Sequence, residues 1–101
     1  MSVDEFEASL HQAKPPEGWG HALQALWWDA HGDWDKAHGL AQLDEADRHS
    51  AWVHAYLHRK EGDLSNAAYW YRRSGHPVAT GSLTDERQSI AITLLGGSPP
   101  A

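Results

Sequence analysis

His54 and His58 stand four residues apart, and on a helix that spacing stacks two imidazoles on one face, a turn apart, where both could reach one metal ion. A third ligand would come from His38 or Asp35, on what reads as the preceding helix. The competing explanation is structural. Imidazoles beside the small residues Ala51 and Ala55 also serve as interface groups, hydrogen-bonded to backbone or tyrosine oxygens.

A second constellation is basic and aromatic. Arg59, Lys60, Arg72 and Arg73 flank Tyr69 and Trp70, and guanidinium groups beside rings can grip a carboxylate or phosphate bidentately. Helical spacing puts Asn66, Trp70 and Arg73 on one stripe and Tyr69 with Arg72 on another, so a solvated face paired with Glu61, Asp63 or the acidic first half of the chain competes with a binding site. Asp29, Asp33 and Asp35 could act as acid and base or hold a hard cation, yet Asp33 is placed to cap a helix and Asp35 to favour its first turn. Trp27, Trp28, Trp52 and Trp70 could stack a flat ligand, but in a short chain such rings make the core; Trp19, between Gly18 and Gly20, is freer. There is no dinucleotide fingerprint, P-loop, His-Glu-x-x-His or Gly-x-Ser-x-Gly motif, so no residue is assigned a catalytic role.

The elements that must position these groups repeat. Segments 25–37 and 55–67 align at an offset of 30, with Ala25/Ala55, Gly32/Gly62, Asp33/Asp63 and Ala37/Ala67 identical. Glycine can close one helix in the left-handed conformation and aspartate can cap the next, which makes two helix–turn–helix hairpins. Apolar stripes run through Leu23, Leu26, Trp27 and Ala30, through Trp34, Ala37 and Ala41, and through Leu64, Ala67, Ala68 and Tyr71. Six helices are expected, at about 3–13, 18–31, 33–43, 48–61, 63–74 and 84–95, the last starting at Thr84, with no alternation that predicts a sheet. The expected architecture is an all-α single domain over 1–95 with a flexible tail over 96–101.

With Ala25, Gly32, Trp34 and Ala37 in one copy, and Ala55, Gly62, Ala67 and Pro77 in the other, residues 20–77 resemble the tetratricopeptide repeat, although 30 residues replace its usual spacing of about 34. The runs 51–63 and 69–73 look like a family of short bacterial and fungal proteins of unassigned function, which implies a fold rather than an activity. The repeat resemblance implies a protein or peptide partner. Two repeats leave hairpin faces to be covered by terminal helices or by a second copy in a homodimer.

Charge narrows the partners. The net charge is −6; residues 1–47 hold ten acids against two bases, and residues 48–101 hold six bases against four acids. That distribution argues against nucleic acid and suggests an acidic partner for the basic group. The chain has no cysteine, no apolar run near membrane-span length and no signal-like start, so a cytoplasmic protein is expected. The sequence thus suggests a non-catalytic interaction or scaffold protein, its partner surface Arg59, Lys60, Tyr69, Arg72 and Arg73. The alternative is a small enzyme or sensor that takes a divalent metal or an anionic metabolite through His38, His54, His58, Arg72 and Arg73. No other cofactor is expected.

Overall fold

Glycine and aspartate at the two expected turns set the architecture. In the computed structural model, which describes residues 3–96, the helices are α1 (Val3–Ser9), α2 (His21–Ala30), α3 (Trp34–Gln42), α4 (Arg48–Glu61), α5 (Leu64–Ser74) and α6 (Leu83–Leu94). No strand occurs among the described residues. The expected tail, apart from Gly96, lies outside them.

Gly32 and Gly62 take φ of 99° and 90°, the left-handed region that side chains with a Cβ avoid. After each, the amide of the aspartate reaches back to the helix just closed, Asp33 N to Trp28 O at 2.8 Å and Asp63 N to His58 O at 2.9 Å. The aspartate side chains then cap the next helix, accepting from Lys36 N at 3.0 Å and Asn66 N at 3.3 Å. The hairpins α2–α3 and α4–α5 follow from these local bonds.

Helix α4 is the axis of the molecule. It packs against α5, α3, α2 and α6, and every residue from Ser50 to His58 is buried. A helix covered all round must put its polar side chains inside as well. Helix α6 crosses α4 and α2 and meets α1, so the terminal helices cover hairpin faces that two repeats alone would leave bare.

Three boundaries differ from expectation. α1 ends at Ser9, not near residue 13, because the chain relaxes there into turns with three-residue bonds such as Gln12 N to Ser9 O at 2.9 Å. α2 begins at His21 and not at 18, since Gly18 is left-handed with φ 87° and Gly20 is extended. Ser82, rather than Thr84, caps α6, accepting from Asp85 N at 3.0 Å. Leu64 also leaves its expected stripe: as the first residue of α5 it turns outward, 67% exposed.

Candidate metal centre

The α3–α4 crossing brings three histidines together. Trp34 anchors α3 there, its indole Nε1 donating to Leu57 O at 3.0 Å, and its ring stacks on His38 with centroids 4.8 Å apart. One turn along α3 from Trp34, His38 points at α4, and its Nε2 lies 3.0 Å from His54 Nε2. His58 follows on the next turn of α4. Its ring centre is 4.8 Å from that of His54 and 5.1 Å from that of His38. Trp70 of α5 closes the far side, stacked on His54 at 3.9 Å.

Burial decides the protonation of this group. His54 is 2% exposed, and desolvation, with help from the His38 and His58 rings, pushes it down to about 3. His38, half-buried, is also lowered, chiefly by desolvation and then by His58, against the pull of Glu61 and Asp35. Near neutral pH these two rings therefore carry lone pairs rather than charge, the form a metal ion requires.

The geometry fits an ion in two respects. Nε2 of His38 and Nε2 of His54, from different helices, share a 3.0 Å hydrogen bond, and that separation is close to the about 3.3 Å between two imidazole ligands of one tetrahedral ion, which would replace the shared hydrogen. A nitrogen of His58 lies within 4.8 Å of both. The hydrogen-bonding ledger of the rings is also incomplete: His54 Nδ1 is buried without a hydrogen-bond partner, and so is Ser50 Oγ one turn away on α4. An all-imidazole donor set suits zinc, nickel or copper and not calcium or magnesium.

His58 carries a feature the sequence reading passed over. Its Nδ1 bonds Glu61 Oε1 at 2.6 Å. Glu61 thus faces His58 rather than the basic group, and its spacing of three from His58 on one helix is a signal for this contact. Asp63, also near His58, is committed to the α5 cap, and Asp35 is exposed.

The basic group does not converge. Arg59 donates to Glu86 Oε1 at 3.0 Å and to Gly81 O, and Lys60 donates to Asp29 Oδ1 at 2.9 Å, so both complete internal carboxylate sites. Arg73 lies over Tyr69 and Trp70 and donates to Glu45 O at 3.3 Å, while Arg72 is exposed on the same helix. Asp29 is buried, accepting from Tyr56 Oη at 2.9 Å as well as from Lys60, so Asp29, Asp33 and Asp35 form no shared site. Trp27, Trp52 and Trp70 are core residues; Trp28 lies under Lys36 Nζ at 4.0 Å, and Trp19 stacks on Phe6.

No protein-family model, curated protein or solved structure matches the chain. No helix among the described residues is long and apolar enough to cross a membrane.

Proposed function

We propose that the protein binds a divalent transition-metal ion of the zinc class through His38, His54 and His58, and that the ion ties one helical hairpin to the other. The observation that carries this reading is the 3.0 Å approach of His38 Nε2 to His54 Nε2 across the α3–α4 crossing, with His58 alongside. Its support is the orphaned His54 nitrogen in a buried polar cluster. The role is structural or sensory, because an ion here cross-links α3 to α4.

The interaction role draws on less. With Arg59 and Lys60 turned to internal carboxylates, Tyr69, Arg72 and Arg73 remain as the outward part of the expected partner surface.

Calorimetric titration of chelator-treated, tag-free protein with zinc chloride tests the metal reading. One ion per chain at micromolar affinity or better is expected, weakened at least tenfold by His38→Ala, whose half-buried ring can be lost without opening the core. Absence of heat at micromolar ion, or equal affinity in His38→Ala, overturns it.

A further inference from the structure

We propose that Glu61 is a positioning residue of the imidazole centre, holding His58 in the tautomer that presents its Nε2 lone pair to the ion. This rests on the metal reading above and assigns its outer support. A carboxylate oxygen 2.6 Å from a ring nitrogen can only accept, so Nδ1 of His58 carries the hydrogen. In the neutral ring the lone pair is then on Nε2. With the ring 6% exposed and one side tied to its own helix, rotation of the imidazole is restrained as well.

Helix energetics give no other reason for an acid at this position. Glu61 is the last residue of α4, where the carbonyl end of the helix disfavours negative charge and where Arg59 and Lys60 are the suitable neighbours. Asp63 cannot take its place, because its carboxylate bonds Asn66 N at 3.3 Å and Asn66 Nδ2 at 3.4 Å. A carboxylate behind a ligating histidine fixes its orientation and raises its basicity, and removing such a partner lowers metal affinity by about 10- to 100-fold.

The full chain, Glu61→Gln and Glu61→Ala should be compared by zinc titration and by nitrogen NMR of the imidazoles without metal. The expected results are an Nδ1–H tautomer for His58 in the parent protein, a shift toward Nε2–H in Glu61→Ala, and a zinc affinity about 10- to 100-fold weaker in that variant. Glu61→Gln, which keeps an oxygen acceptor without charge, should fall between. Helix content should hold in both variants. Zinc binding that differs by less than about twofold between parent and Glu61→Ala, or an unchanged His58 tautomer, overturns the proposal. If the parent binds no zinc the metal reading itself fails, and the tautomer measurement shows whether Glu61 still sets the ring.

Discussion

Two kinds of buried polar cluster flank α4, and they are built on opposite principles. On one side each buried carboxylate has a matched set of donors: Asp29 takes Tyr56 and Lys60, and Glu86 takes Arg59 and Tyr71. Charge, hydrogen and lone pair are balanced within the fold. These sites sew α2 to α4 and α6 to α4 and α5. On the other side three like groups, His38, His54 and His58, face one another, and a buried nitrogen of His54 has no hydrogen-bond partner. Buried polar groups that satisfy one another stabilise a fold, whereas neutral imidazoles gathered with a nitrogen left unpartnered can offer lone pairs to a cation.

The sharpest way to break this comparison is to remove a carboxylate. Glu86→Ala leaves the Arg59 guanidinium and the Tyr71 hydroxyl without their acceptor in a site where the glutamate is 7% exposed, and should cost about 3–5 kcal/mol in urea unfolding. Burial, the largest cause of the raised Tyr71 hydroxyl, persists without Glu86, so the hydroxyl stays a donor left without its acceptor. A cost below about 1 kcal/mol would show the carboxylate side to be as loosely organised as the histidine side.

Adding an ion should next separate the sides from the other direction. Free zinc at about 100 times its dissociation constant should stabilise the parent protein by about 2.7 kcal/mol in the same unfolding assay. It should do so equally in Lys60→Met, which alters only the carboxylate side, and not in His38→Ala. Stabilisation that survives His38→Ala would move the ion away from the α3–α4 crossing.

Acid should act on the histidine side first. His54 is held down to about 3 in the fold against an ordinary value near 6.5, so the unfolded chain binds the extra proton as pH falls. Its contribution to stability is whole above pH 6.5 and is lost progressively as pH drops toward 3, amounting to about 2 kcal/mol by pH 5. His38 and His76, both lowered mainly by burial, push in the same direction. Urea melts at pH 7.5 and 5 measure the sum, and a flat profile would mean that these rings are solvated.

What the sequence made legible was local. Gly32-Asp33 and Gly62-Asp63 announce their turns because the left-handed glycine and the aspartate cap act within a few residues. The approach of His38 to His54 could be anticipated too, since one follows from helical spacing and the other from the adjacency of consecutive helices. The partner of Lys60 was legible only as some acid of the first half, and that of Arg59 not at all: Asp29 and Glu86 lie 31 and 27 residues away, and periodicity names a face without naming what meets it. The outward turn of Leu64 was hidden for a related reason, because a helix's first residue obeys the cap before it obeys the stripe.

The smallest effect discriminates best between the two principles. His54→Leu replaces a buried ring by an aliphatic side chain of similar volume, ending the penalty of the unpartnered Nδ1, about 1–3 kcal/mol, while forfeiting the stack on Trp70, about 0.5–1.5 kcal/mol. The variant also breaks the 3.0 Å His38–His54 hydrogen bond, about 0.5–1.5 kcal/mol even though the half-buried His38 can turn its freed Nε2 to water. The three terms nearly cancel, so the variant should stand within about 1 kcal/mol of the parent in metal-free protein at pH 7.5, with zinc binding abolished. A larger loss of stability would place His54 with Asp29 and Glu86 as a group the fold needs. A gain would mean that the parent chain keeps, at the centre of its most buried helix, a side chain that makes its metal-free form less stable, and a ligand is what such a residue serves.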